Sequence, residues 1–244
     1  MDRRGVGIFS ITDHDTTRAY GELPNSRGQI VPGIEINTTR DGVDIHILGY
    51  GFDPADDAPI QRVLENNREA RRARISTMIE KLRKAGYPLT EEMVAAEADG
   101  SESLGRPHVA KALVRAGIVK DVQAVFRNLV GRGGPGFVPS AHISAPEAIE
   151  AIAAAGGVPV LAHPGRLSEY AIIDEMAEHG VAGLEVFYPT HTPAQVDHFR
   201  RQAQRLGLVM SAGSDFHDAR WNSSVVGIEV EEGDIAPFLD LLGR

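Results

Sequence analysis

The chain contains no cysteine, which excludes disulfides, thiolate zinc sites and cysteine nucleophiles and leaves nitrogen and oxygen as the strong ligands open to a metal. No apolar run approaches the ~20 residues needed to cross a bilayer, and Met1-Asp2-Arg3-Arg4 is not followed by a signal-peptide core. A cytoplasmic protein without a membrane partner is therefore expected. Positive charge is in deficit: 25 basic against 34 acidic side chains give a net charge of −9. That balance opposes nonspecific attraction to nucleic acid, so duplex binding is not expected, although a local arginine cluster can still hold one phosphorylated ligand. There is no internal repeat and no low-complexity tail. What is present is ordinary for a globular chain: 244 residues, 42% hydrophobic and 24% charged, enough to bury one large core or a core carrying an insertion. Nine histidines remain to be explained.

Short β-branched runs alternate with helical patterns, the signature of βα units around a mainly parallel sheet. The strands are expected at Val6–Thr12, Ile30–Ile36, Val43–Tyr50, Val158–Ala162, Gly183–Tyr188 and Leu208–Ala212. Ser144 predicts an N-cap for a helix over Pro146–Ala154, and Thr192 one for Pro193–Leu206, which Gly207 ends. The middle reads differently. Pro59–Ala85 is one long helical pattern, with apolar Val63, Ala70, Ile75, Met78, Ile79 and Leu82 near helical spacing. Further helices are expected from Gly105-Arg106-Pro107-His108 and over Val122–Val130, before the glycine-rich loop of residues 131–136. Residues 55–137 are thus expected to form a helical subdomain inserted into a core of residues 1–54 and 138–244.

Metal-capable side chains recur at or just beyond successive strand ends: Asp13-His14-Asp15, Glu35, His163 and Asp215-Phe216-His217, with His46 inside its strand. In a βα barrel those ends form one face, where active sites assemble. Each short pattern is common by itself: an Asp-His-Asp often caps a turn, and a strand histidine is often a hydrogen-bonded core residue. Recurrence carries the metal reading. Imidazoles and carboxylates without thiolates suit manganese, iron, zinc or magnesium, and Glu35 could bridge two ions.

Arg106 and His108 stand at a helix start, where unpaired N–H groups and the dipole favour an anion; a phosphate contact and a surface charge cap both fit. Arg166, in His163-Pro164-Gly165-Arg166, is a second candidate phosphate contact. Arg68, Arg71, Arg72 and Arg74 are interleaved with Glu65, Glu69 and Glu80, which reads as a solvated, partly ion-paired face. His142, His179 and His198 lie in ordinary contexts, and His191 is undecided between a strand-end site residue and a helix-cap neighbour.

In order, Ser10-Ile11-Thr12-Asp13-His14-Asp15-Thr16, Pro32-Gly33-Ile34-Glu35, His46-Ile47-Leu48-Gly49-Tyr50, Leu161-Ala162-His163-Pro164-Gly165 and Gly213-Ser214-Asp215-Phe216-His217 match a known series of motifs. On these the chain resembles the PHP (polymerase and histidinol phosphatase) family of metal-dependent phosphoesterases. The helical insertion with Arg106-Pro107-His108 and Gly134-Pro135-Gly136-Phe137-Val138 is similar to the branch acting on nucleoside 3′,5′-bisphosphates and short oligonucleotides.

The resemblance implies a distorted (β/α)7-type barrel with up to three divalent ions, manganese foremost, and hydrolysis of phosphomonoesters of nucleotides by hydroxide formed at the ions rather than by a covalent nucleophile. It implies that His14 and His217 share one ion, Glu35 and Asp215 another, and Glu35, His46 and His163 a third, with Asp15, Arg106 and His108 on substrate. Family members begin with a strand ending in His-x-His, an aspartate and a helix ahead of the segment that here starts at Gly5. On the order of 30 residues are therefore expected upstream of Met1, or else the chain is a truncated binding protein. The third ion alone keeps all its protein ligands without them. Gly134 stands where this branch often has lysine, so either Arg132 substitutes or a lower phosphate affinity is expected. Histidinol phosphate is the alternative substrate, and the oligomeric state is left open.

Overall fold

The computed structural model describes residues 5–21, 27–98, 104–140, 142–216 and 225–243. They divide into two compact units, one of residues 1–40, 44–64 and 143–244, the other of residues 41–43 and 65–142.

In the first unit β1 (Ile8–Phe9) pairs in parallel with β2 (Gln29–Ile30), and β3 (Gly33–Arg40), β4 (Val43–Tyr50), β5 (Val158–Leu161), β6 (Gly183–Phe187) and β7 (Val209–Ala212) form a five-stranded sheet in that order. The β5, β6 and β7 neighbours are parallel, joined through α6 (Ala171–Glu178) and α7 (Pro193–Leu206). The sheet is more mixed than expected. The two-residue turn Asp41-Gly42, at φ 51° and 77°, reverses the chain after β3, and β4 runs antiparallel to β5.

The strand expected over residues 6–12 shrinks to Ile8–Phe9, and the one expected over 30–36 breaks at Val31-Pro32. Pro32 has no N–H to give the ladder. The hydroxyl of Tyr20 takes its place: it donates to the Ile11 carbonyl at 2.5 Å and accepts the N–H groups of Ile11 and Gly33 at 2.9 and 2.8 Å. Gly33 permits the approach, since a Cβ there would lie 2.1 Å from Ser10 Oγ. Beyond this plug the pairing resumes, with His14 opposite Glu35 in the register already set by Ile8 opposite Gln29.

Apolar faces close the core. Ile34, Ile36, Ile45, Ile47, Leu161, Leu184 and Val186 of the sheet pack with Ile149 and Ile152 of α5 (Ala145–Ala154), Ile172 and Ile173 of α6, and Phe199 of α7. α8 (Glu232–Leu241), which has no counterpart among the expected helices, sets Phe238 edge-on against Tyr50.

The second unit has its own core. Ile75, Met78, Ile79 and Leu82 of α1 (Ala58–Lys84) pack with Val94 of α2 (Glu91–Ala95), Val109 and Leu113 of α3 (Arg106–Arg115) and Val125 of α4 (Val122–Val125). α4 passes at Phe126–Val130 into a wider π turn, so the helix expected over 122–130 is regular only in its first half.

Candidate metal centre

The first unit carries an open cleft of about 360 Å³ above the sheet. Asp13, Glu35, Glu185 and Asp215 line it with His14 and His163, and no lysine or arginine is among the described residues lining it. Side chains from residues 13 to 215 converge because neighbouring strands and the turns just beyond them face one cleft: Glu35 and Glu185 stand inside β3 and β6, while His163 and Asp215 follow the ends of β5 and β7.

Glu35 is the hub, 5% exposed near the start of β3. Its Oε1 lies 2.6 Å from His46 Nδ1 and 3.2 Å from His163 Nε2, and those two nitrogens are 3.2 Å apart. Its Oε2 faces His14 Nδ1 at 3.7 Å. Burial alone pushes the Glu35 carboxyl up, but the His14 charge and the hydrogen bonds of His163 and His46 outweigh it and hold the group well below the usual carboxylate range. One atom each from His14, Glu35 and His46 falls within a 4.8 Å group able to hold an ion.

Three residues around the cleft occupy the left-handed backbone region that side chains avoid: Asp15 at φ 54°, His163 at 27° and Asp215 at 46°. Each costs about 1–3 kcal/mol, a strain typical of functional sites. Asp215 Oδ2 accepts the Tyr188 hydroxyl at 2.6 Å and pairs with Arg166 at 3.2 Å, while the half-exposed guanidinium of Arg166 also lies over the Tyr188 ring. Burial and the bond to Asp215 push the Tyr188 phenol above its ordinary value.

Asp15 is 1% exposed and turns away from the cleft: its oxygens accept the Asn37 backbone N–H at 3.0 Å and the Asn37 amide at 2.8 Å. The same amide reaches His14 Nδ1 at 3.2 Å, so Asn37 ties the two together. Glu185 is 4% exposed, and burial, with Glu35 and Asp215 nearby, pushes its carboxyl up to about 8. Asn37, Glu185 and Tyr188 escape sequence reasoning because each stands inside a strand run or just after one, with no motif around it.

His191 is a brace: its Nδ1 donates to the Val186 carbonyl at 2.9 Å and its Nε2 accepts the Gly165 N–H at 3.1 Å, which fixes a neutral ring. Burial lowers its pKa accordingly. His217 lies outside the described residues.

In the second unit Arg106 opens α3, Pro107 follows, and His108 Nδ1 accepts the N–H of Gly105, the N-cap residue, at 2.9 Å. Burial and the nearby Lys111 charge lower the His108 pKa. Arg71, read from sequence as part of a solvated face, reaches this helix start: a Cβ on Gly105 would lie 3.8 Å from its guanidinium.

Comparison with known proteins gives these arrangements a context. No family model matches the chain. The chain is similar to a 3′,5′-nucleoside bisphosphate phosphatase of Chromobacterium violaceum, 34% identical over 224 residues that cover 88% of this chain and 78% of that protein. It is also 34% identical to the 5′-3′ exoribonuclease Rnm of Salmonella typhimurium, over 87% of this chain and 75% of the other. A Bifidobacterium adolescentis crystal structure assigned as a metal-dependent phosphoesterase superposes with a TM-score of 0.82 at 29% identity, covering all of this chain and 90% of its own. The fold is thus a distorted, barrel-like α/β fold of the phosphoesterase type, and the protein is a hydrolase of phosphoric esters. The chain belongs to the PHP family of metal-dependent phosphoesterases.

Proposed function

We propose that the chain hydrolyses phosphomonoesters of nucleotides, nucleoside 3′,5′-bisphosphates or short oligonucleotides, with divalent ions held by Glu35, His46 and His163 and by His14 and Asp215. One observation carries this reading: the triangle of Glu35 Oε1, His46 Nδ1 and His163 Nε2, with sides of 2.6, 3.2 and 3.2 Å. Ligands bound ~2.1 Å from a common ion stand roughly 3.0–3.4 Å from one another, so the triangle fits one ion with small adjustment. The donor set of imidazole and carboxylate suits manganese, zinc or iron, and manganese is the first ion to test.

Charge supports the same reading. Acidic side chains line the cleft, Asp13, Glu35 and Asp215 beside a largely protonated Glu185, and a phosphate ester would be repelled from it without cations. When bound, divalent ions supply Lewis acidity that acidifies water and neutralises charge growing on the phosphoryl oxygens. The chain's own residues do the rest. Glu35 presents two oxygens to two sides of the site, and Asn37 orients His14 through the bond at 3.2 Å. Arg166, balanced between Asp215 and the Tyr188 ring, offers a planar two-point grip for a phosphate at the cleft rim. The start of α3, with Arg106 and His108, is proposed as a further phosphate contact. Asp15, 1% exposed and bonded through its two oxygens to Asn37, serves as an anchor for the His14 turn rather than as a substrate contact.

Two relatives named for a nucleoside bisphosphate and for RNA support the nucleotide substrate. The test is phosphate release by the purified, manganese-loaded protein, expected to be faster from adenosine 3′,5′-bisphosphate than from histidinol phosphate. The opposite order would move the substrate class. No turnover of either, with less than one ion bound per chain, would end the reading.

A further inference from the structure

We infer that Glu185 is the positioning residue of His163: by receiving the His163 backbone N–H it fixes the turn that delivers the imidazole to Glu35. The inference rests on the metal reading above.

A carboxyl 4% exposed in the middle of a strand needs a reason, since its neighbours Leu184 and Val186 are core residues. The hydrogen-bond ledger of β5 supplies one. The strand's ladder ends at Leu161, the Ala162 N–H goes to the His46 carbonyl at 3.1 Å, and His163 then adopts φ 27°, ψ 61°. In that conformation its N–H leaves the sheet, and a buried N–H demands an acceptor. Glu185 Oε2 provides it at 2.7 Å.

Two features of the surrounding chain exist to bring the carboxyl there. The β6–β7 pairing slips between Glu185 and Phe187, the kind of bulge that re-aims a side chain. Just past the end of β7 stands Gly213, where a Cβ would fall 2.1 Å from Glu185 Oε1. On the far side of the turn His191 accepts the Gly165 N–H at 3.1 Å, so His163 is held from both directions.

Manganese affinity by titration calorimetry and steady-state kinetics on three variants test this. Glu185→Gln keeps an acceptor and is expected to stay within about threefold of wild type in manganese Kd and kcat. Glu185→Leu removes it and is expected to weaken manganese binding about tenfold or more, as loss of an outer partner of a ligand does, with kcat falling while KM holds. Gly213→Ala keeps the carboxyl but displaces it, and is expected to match Glu185→Leu; it decides the matter if Glu185→Leu does not fold by circular dichroism. A folded Glu185→Leu or Gly213→Ala binding manganese like wild type overturns the positioning role, and so does a Glu185→Gln as impaired as Glu185→Leu, which would make the charge itself the agent. A wild type that takes up no manganese overturns the metal reading and this inference with it.

Discussion

His163 shows how much chemistry one residue can concentrate. Its backbone is left-handed, its N–H is tied to Glu185, and its Nε2 meets both Glu35 and His46. His163→Ala should therefore abolish metal uptake and activity together, read by bound-metal analysis and phosphate release. Arg166→Ala should leave metal content unchanged and raise KM about tenfold or more, the scale of one lost charged hydrogen bond. Equal metal loss in both variants would count against the clamp. Glu185 also sets a pH dependence. Its folded-state pKa is raised from the ordinary 4.5 to about 8, so its stabilising contribution is complete below 4.5 and is lost as the pH climbs towards 8. The loss is on the order of 4 kcal/mol for a fully buried group. Thermal melts in chelator should thus show wild type losing stability between pH 5 and pH 8 relative to Glu185→Gln, whose side chain does not titrate. The site's legibility divides at this scale. His14, Glu35, His163 and Asp215 can be read from sequence because short motifs surround them. Glu185 sits in Gly183-Leu184-Glu185-Val186-Phe187, where alternation would turn it to solvent, and only the tertiary packing reveals that it is buried.

Elements with local start and stop chemistry were legible almost to the residue. α7 runs over Pro193–Leu206 as Thr192 and Gly207 predict: Thr192 and Gln195 form a capping box, and Gly207 takes φ 69° beyond the last turn. β4 likewise occupies Val43–Tyr50 as its β-branched run predicts. The failures are at β1 and β2, where a distant side chain decides. Nothing near Ile11 or Gly33 announces that the Tyr20 hydroxyl will stand between them in place of a ladder. Tyr20→Phe should accordingly strand the N–H groups of Ile11 and Gly33 and destabilise the first unit by about 1–3 kcal/mol, measurable by chemical denaturation. His14 is carried by the segment just beyond that plug, so the same variant should also weaken manganese binding, whereas an equally destabilising change in α7, such as Thr192→Ala, should not.

For the molecule as a whole, function and stability draw on one charge distribution. The chain carries a net charge of −9, and Asp13 and Asp215 crowd the cleft around the buried Glu35. In the metal-free protein their repulsion is balanced only in part, by histidines near Glu35 and by Arg166 at Asp215. Divalent ions that bind the folded chain and not the unfolded one should therefore stabilise it, by about 2.7 kcal/mol at a hundredfold excess over Kd. Calorimetric scans should show Tm falling on treatment with chelator, rising again on addition of manganese, and failing to rise in His46→Ala. Sodium chloride at matched ionic strength provides the control, because screening relaxes long-range repulsion but cannot occupy the triangle of Glu35, His46 and His163. If salt restored Tm as fully as manganese, the acidic cleft would be an electrostatic burden with no cation to hold, and the metal centre would have to be sought elsewhere in the protein.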